Sequence, residues 1–559
     1  MIVIGGLIII SALAWLYVLT GAGTGMSVIA MTRIAVSPGA FSDDAAMPQQ
    51  WTGAYWAIML AMWWVMMIAM MAPSAAPMIL LYARVTRHEQ RSGRLAAGVV
   101  PTAGFAAGSA ILYMSTADRR QTLDLVTATG IGWIRFDVPW NFVSPQAGSY
   151  QWTFVDNVVN DCRARGLTIL LSVVNSPSWA AAVPGNPQSR PASATTYANF
   201  CGKVATRYRD SVSAMEIWNE PNGRMFFAPD PDPAFYTQMV RAAYPVIKAK
   251  APAMTVIAGA LGAVDTADGL VHAVDFLRAA YQNGLAGRSD AISFHPYDYS
   301  NPLATGALYD NAPMRNMIDM YRSMSSNGDG GKKIWITEYG APTTGSISQT
   351  DQAELISNSI GQWREVSYAG PFMIHTIRDA ATGSTDPEDN FGVATTAFVP
   401  KQSMVAVTAL SQAGFPLRPE YQLLQVNPDP TLGQPVSPVY PLQRGFGYEF
   451  TEGARYATNN GFFSSPTEVA TIARRFRVVP LGTFAYDRQD FDVDGGFRVF
   501  SRPDTTGTHA VYGAILAAWS PAIGFPTGTL TSTNGVTTQQ FENGAITWSA
   551  LGGTHVDYS

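Results

Sequence analysis

Two kinds of apolar patterning divide the chain. Residues 1–32 carry no charge, and a second uncharged run extends from Trp51 to Ala83. The first predicts a membrane helix over about 2–22. It lacks the basic leader and cleavage site of a secretory signal, which points to an anchor. The second run predicts a helix over about 54–83, roughly 45 Å long and able to span with tilt or a kink at Pro73 or Pro77.

From about residue 100 the apolar runs shorten to strand length and alternate with helical patterns, which predicts a parallel sheet with crossover helices. Eight strands are predicted: Thr102–Ala107, Gly132–Val138, Thr168–Val174, Ser213–Trp218, Met254–Ala260, Ala291–His295, Lys333–Glu338 and Pro371–Ile377. Ser115 to Asp118 forms a helix-capping pattern, with Gly130 as the stop. Asp232 followed by Pro233 opens a helix running toward Lys250. Eight such units predict an α/β fold of the (β/α)8 TIM-barrel type over 97–413. Beyond 414 proline, glycine, threonine and aromatic residues dominate. Leu432-Gly433-Gln434-Pro435 precedes Phe450-Thr451-Glu452-Gly453-Ala454 by the same interval that separates Ile523-Gly524-Phe525-Pro526 from Phe541-Glu542-Asn543-Gly544-Ala545. The equal spacing predicts a small β-rich repeat domain over 414–559. A further copy near Leu481-Gly482 does not keep the interval.

The chain has 559 residues, of which 14% are charged, and a formal net charge of −5, which gives no sign of nucleic-acid binding. Its two cysteines, Cys162 and Cys201, fit two buried thiols or a single disulfide, and no zinc cluster. In the second apolar run Met59, Met62, Met66 and Met70 share one helix face. Thioethers suit Cu(I), and they also pack well between helices. Arg84, Arg87, Arg91 and Arg94 follow that run, so the positive-inside rule places the following segment in the cytoplasm. A third span over Ala96–Met114 relieves that conflict. A fused or truncated gene with its junction near 95–101 also accounts for it.

Two glutamates end strand-like runs. Glu220 lies in Trp218-Asn219-Glu220-Pro221, and Glu338 in Trp335-Ile336-Thr337-Glu338-Tyr339-Gly340. They are 118 residues apart, three βα units of about 39 residues, which places them after strands four and seven at the face where barrels carry their chemistry. Glycosidic cleavage needs a carboxylic acid to protonate the leaving oxygen and a carboxylate to attack or steady the anomeric carbon. Glu220 offers the acid/base and Glu338 the nucleophile. Glu216, four residues before Glu220, reads as a buried partner inside the barrel. Trp140, Trp179 and Trp218 are either sugar-stacking platforms or core filler. Asp379 either contacts sugar or caps a loop. No metal-ligand cluster appears in the barrel and no cofactor is implied.

With this pair, residues 100–413 resemble clan A glycoside hydrolases, most nearly families 39 and 5, cellulase-like. The resemblance implies a retaining mechanism on a β-linked polysaccharide. It implies that Asn219 holds the sugar 2-hydroxyl and that Arg135 helps keep the nucleophile ionised, unless Arg135 pairs with Asp137. It implies that His295 and Tyr297 hydrogen-bond the glutamates. The end of strand eight departs from the clan: Phe372-Met373-Ile374-His375-Thr376 has no tryptophan. The C-terminal repeats resemble LGFP repeats of cell-wall proteins from mycolic-acid-bearing actinobacteria, which implies a cell-wall glycan as a second partner. Trp63 to Met78 resembles a family of predicted metal-binding integral membrane proteins, of which about the first 95 residues look like a fragment. These readings together give a membrane-anchored, wall-facing hydrolase. The alternatives are a non-catalytic glycan-binding wall protein and a membrane metal-handling protein with a passenger barrel.

Overall fold

The computed structural model describes residues 103–559. The two expected membrane helices, the methionine face and the charged segment after it lie outside the described residues. Among the described residues no helix is long and apolar enough to cross a membrane.

Eight parallel strands close into a barrel: β1 Ala103–Ala106, β2 Trp133–Pro139, β3 Thr168–Val174, β4 Ala214–Ile217, β5 Thr255–Gly262, β6 Ala291–His295, β7 Lys333–Tyr339 and β8 Ala369–His375. Each pairs with the next, and β8 closes on β1. The alternation of the pleat sorts their side chains. Ala106, Leu170, Ala214, Ile257, Ala291, Trp335 and Met373 fill the interior, with the Trp133 and Trp335 rings edge-on at 5.4 Å. The opposite parity, including Phe105, Ile134, Ile169, Met215, Val256, Ile292 and Ile336, packs against the surrounding helices. These strands read as unbroken apolar runs because both their faces are buried.

The expected helix signals operate locally. The Ser115 hydroxyl accepts from the Asp118 amide at the start of helix Thr116–Ala128, and Gly130 beyond its end has φ +75. Asp232 caps helix Pro233–Lys250 by accepting from the Phe235 amide at 2.9 Å. Cys162 and Cys201 are free and buried, and burial pushes each thiol up to about 12.

The C-terminal region holds three copies of one unit. The first has β9 Tyr440–Leu442, β10 Gly445–Phe450, β11 Gly453–Thr458 and β12 Gly461–Pro466. The second has β13 Arg488–Phe491, β14 Phe497–Arg502 and β15 Gly507–Tyr512. The third has β16 Thr531–Thr533, β17 Val536–Phe541, β18 Gly544–Ser549 and β19 Gly553–Tyr558. Each forms its own antiparallel sheet. Bridges at Pro435–Phe450, Pro480–Phe491 and Pro526–Phe541 mark equivalent points. The middle copy escapes the sequence pattern for two reasons. It has Arg477-Val478-Val479-Pro480 in place of the glycine-bearing tetrapeptide, and its Pro-to-Phe interval is four residues shorter.

Each copy docks on what precedes it through the residue two before that phenylalanine. The Gln489 amide donates to the Ser464 carbonyl and the Gln539 amide to the Ala510 carbonyl. In the first copy the position is Tyr448, whose hydroxyl donates 2.6 Å to the Glu365 carbonyl of the barrel. Val436 and Tyr440 enter the barrel's own core cluster. Buried Arg315 grips buried Glu449 with two guanidinium nitrogens. Barrel and repeats are therefore joined by packed and ion-paired contacts, and the described residues 103–559 lie in one compact unit.

Candidate active site

The end of β4 turns sharply. Trp218 and Glu220 both have positive φ, 69° and 43°, a conformation that non-glycine residues hold only where the surroundings enforce it. The Glu220 amide donates to the Ala260 carbonyl at 2.9 Å, and the buried Trp218 indole donates to the Phe226 carbonyl at 2.7 Å. Asn222 is also buried. Its amide donates to the carbonyls of Gly262 and Val271, and its oxygen accepts from the Gly262 amide. Gly262 also leaves room for the carboxylate: a Cβ there would stand 3.2 Å from the Glu220 carboxyl carbon and press it out of place.

The Glu220 carboxylate meets His295, at the end of β6. The His295 Nδ1 lies 2.9 Å from Glu220 Oε1, and its Nε2 lies 3.1 Å from the Thr337 hydroxyl. The same Nδ1 is 3.7 Å from Glu338 Oε2, so these two carboxylate oxygens are at most 6.6 Å apart, the sum of the two contacts. The Tyr297 hydroxyl donates 2.9 Å to Glu338 Oε2.

Arg135 supports the pair from below and is fully buried. Its Nη1 donates to Glu338 Oε1 at 2.5 Å, its Nη2 to Asn219 Oδ1 at 2.8 Å and its Nε to Glu216 Oε2 at 2.8 Å. Glu216 is satisfied on its other oxygen by Ser293 at 2.6 Å. Arg135 thus does not hydrogen-bond Asp137, whose carboxylate accepts from Ser109 instead.

These contacts set the charge states. Burial alone would push the Glu338 carboxyl up, but His295 and Arg135, helped by His375 and the Tyr297 hydroxyl, outweigh it and hold the group well below the usual carboxylate range. For His295 burial disfavours the imidazolium, yet Glu338 and Glu220 prevail and raise it. Burial, with the Glu338 and Glu220 charges, drives Tyr297 well above the usual phenol range, so it stays a donor.

Seven sequence candidates, Glu220, Glu338, Asn219, Arg135, His295, Tyr297 and the supporting Glu216, converge in this network. Others do not. Trp140 is 1% exposed and stacked on Phe200 at 5.1 Å, so it is core and not a sugar platform. Trp218 is likewise buried core. Asp379 is buried, accepts from the Thr382 hydroxyl of its own loop at 2.8 Å and is paired to Lys401 at 2.7 Å, contacts that cap and pin the segment after β8. Trp179 is 41% exposed, with its indole N–H anchored on the Ser144 carbonyl at 2.9 Å and its ring perpendicular to Trp140 at 5.5 Å.

Sequence reasoning missed Asn222, Ser293, Thr337 and His375. Asn222 and Thr337 flank the two glutamate motifs and were legible as polar residues next to them. Ser293 was one polar residue in an apolar strand. Among the described residues no group of three or more His, Cys, Asp or Glu is placed to hold a metal ion.

Residues 98–369 match the family model for Cellulase (glycosyl hydrolase family 5). No curated protein sequence matches the chain significantly. Similar solved structures include a family 39 glycoside hydrolase from the gut symbiont Bacteroides cellulosilyticus, at 16% identity and TM-score 0.46 over 79% of each chain. A GH39 beta-xylosidase from Caulobacter crescentus aligns at 16% identity and TM-score 0.43, over 64% of this chain and 77% of that one. A GH5_18 structure from Streptomyces cattleya in complex with GlcNAc aligns at 15% identity and TM-score 0.44, over 57% and 83%. The family match lies across the barrel that carries the paired carboxylates, and the protein is a glycoside hydrolase.

Proposed function

We propose that the chain is a retaining hydrolase of a β-linked polysaccharide, with Glu338 as nucleophile and Glu220 as acid/base. The observation that carries this reading is the asymmetry of the pair. Glu338 receives Arg135 and Tyr297, which favour its charged form, whereas Glu220 has only the shared His295. A nucleophile must be ionised, and a general acid must be able to carry a proton. One oxygen pair of the two carboxylates lies at most 6.6 Å apart, at the lower edge of the spacing that admits a water between such groups. Inverting enzymes space their carboxyl groups about 6.5–9.5 Å apart to admit a water.

In this mechanism Glu220 protonates the glycosidic oxygen while Glu338 Oε1 or Oε2 bonds to the anomeric carbon, and the leaving hydroxyl departs. Glu220 then takes a proton from water as that water attacks the anomeric carbon, which frees Glu338. Asn219, with its oxygen held by Arg135, is left with its amide to meet the sugar 2-hydroxyl. The test is Glu220→Ala with added azide on an activated aryl β-glycoside. A β-glycosyl azide product supports the assignment, and an α-azide or no azide adduct contradicts it.

We further propose that the three C-terminal copies bind cell-wall glycan, as LGFP-like repeats, and that the apolar runs in 1–96 anchor the chain in a membrane with the barrel facing the wall. The support is the repeat signature and the uncharged runs themselves. Co-sedimentation of the full chain with purified actinobacterial wall, and its partition into detergent, test the two parts.

A further inference from the structure

One polar group at the site, which helps hold Glu338 ionised, has no contact with substrate assigned to it above. His375 ends β8, where the resembled clan carries tryptophan. Its ring is fixed edge-on by Phe391 at 5.3 Å and by Tyr297 at 6.3 Å. Its carbonyl is fixed as well: a Cβ at Gly340 would stand 2.1 Å from the His375 oxygen, so the Glu-Tyr-Gly turn after β7 exists in a form that lets the two strand ends touch. The side chain is 22% exposed and therefore reaches the opening.

The His375 Nδ1 is buried and has no hydrogen-bond partner. It lies 3.9 Å from Glu338 Oε2, too far for a direct hydrogen bond. That gap suits a bridging hydroxyl. An oxygen about 2.8 Å from each atom fits the span, accepting from Nδ1–H and donating to Oε2. Oε2 already accepts from Tyr297 and retains a second lone pair for this contact. A buried polar atom without a partner calls for an explanation, and at the edge of a site a ligand group supplies one.

We propose that His375 is a specificity-determining residue that hydrogen-bonds one ring hydroxyl of the sugar held against Glu338. It selects sugars carrying a hydroxyl at that carbon in the orientation that bridges Nδ1 and Oε2. A phenylalanine at this position offers no donor, and a tryptophan carries its one N–H on a larger ring that places it elsewhere. This inference rests on Glu338 being the group that faces the cleaved sugar.

The experiment uses the full chain, as wild type, His375→Phe and His375→Asn. The substrates are p-nitrophenyl β-D-xylo-, gluco-, galacto- and mannopyranosides and the monodeoxy analogues of whichever is cleaved. Phenylalanine keeps the aromatic packing without the nitrogen, and asparagine restores an N–H near the Nδ1 position. His375→Phe is expected to lower kcat/KM about 10- to 100-fold on the intact sugar, the range for leaving one buried hydrogen-bonding group unmatched. On one deoxy analogue that loss should vanish, because wild type has lost the same contact. His375→Asn should recover part of the rate on the intact sugar only. A His375→Phe loss of equal size on every analogue, or no loss at all, overturns the inference. A wild-type chain that releases no reducing ends from β-glucans, mannans, xylans, galactans or purified actinobacterial wall overturns the proposed function itself, which separates the two failures.

Discussion

Arg135 and Glu338, 203 positions apart in sequence, meet at 2.5 Å beneath the mouth of the barrel. The same guanidinium holds Glu216 and Asn219, so one buried cation fixes Glu338, the Asn219 side chain and the carboxylate below them. A planar fork spreads its donors over three nitrogens and reaches three separated acceptors, whereas an ammonium holds its three donors on one nitrogen.

Arg135→Lys should therefore keep the charge and lose the geometry. The expected drop in kcat/KM is on the order of 10²-fold, the scale of a misplaced catalytic group. The acid limb of the pH–rate profile should also move up, because a weaker cation contact lets the Glu338 carboxyl rise toward its ordinary value. An acid limb that stays in place in this variant would show that Arg135 does not set the ionisation of Glu338.

His295 has a pH signature in stability. Its folded-state imidazole is raised by Glu338 and Glu220 against the effect of burial. A raised folded value contributes stability that is complete below the unfolded histidine value, about 6.5, and is lost as pH rises through the folded value. The wild-type advantage over His295→Asn in urea midpoint should be largest near pH 5–6 and should shrink toward alkaline pH. An advantage that grows with pH contradicts this sign.

How much of this was legible in the chain follows from particular residues. The barrel was readable because its strands are buried on both faces, and the observed strand limits differ from the apolar runs by at most two residues at either end. Glu220 and Glu338 were readable because each breaks an apolar run at a fixed strand interval. Trp140 and Asp379 were not, since a tryptophan that stacks on sugar and one that stacks on Phe200 look alike in sequence. The partner that neutralises Asp379 is Lys401, 22 residues away with no pattern linking them. His375 was visible only as a missing tryptophan. The middle repeat was hidden by a substituted glycine and a shorter hairpin.

The joint between barrel and repeats should be measurable as shared stability. Glu449 is held by Arg315, by Arg474 at 3.6 Å and by the Tyr440 hydroxyl at 3.1 Å. Removing one member of a buried pair typically costs about 3–5 kcal/mol, because the other charge is left unmatched. Glu449→Leu should lower the stability of the barrel as well as the first repeat in chemical unfolding. Two separate transitions with the barrel transition unmoved would show that the contact does not couple them.

The two thiols offer a direct check of the core. Cys162 and Cys201 are unpaired, buried and raised to about 12 by that burial. Neither should react with a thiol reagent at neutral pH in the folded full chain, and two thiols per chain should appear in denaturant without reductant. Two thiols reacting in the native state, or none in denaturant, would contradict the packing of the two helices that carry them.

The most direct measurement of the central claim is reducing-end release by the full chain and by Glu338→Gln from β-glucans, mannans, xylans, galactans and purified actinobacterial wall. The account predicts cleavage of at least one glycan by the parent and a loss on the order of 10³-fold or more in the variant, whose side chain keeps its shape but not its charge. A variant that cleaves as fast as the parent would contradict the assignment of Glu338 as nucleophile.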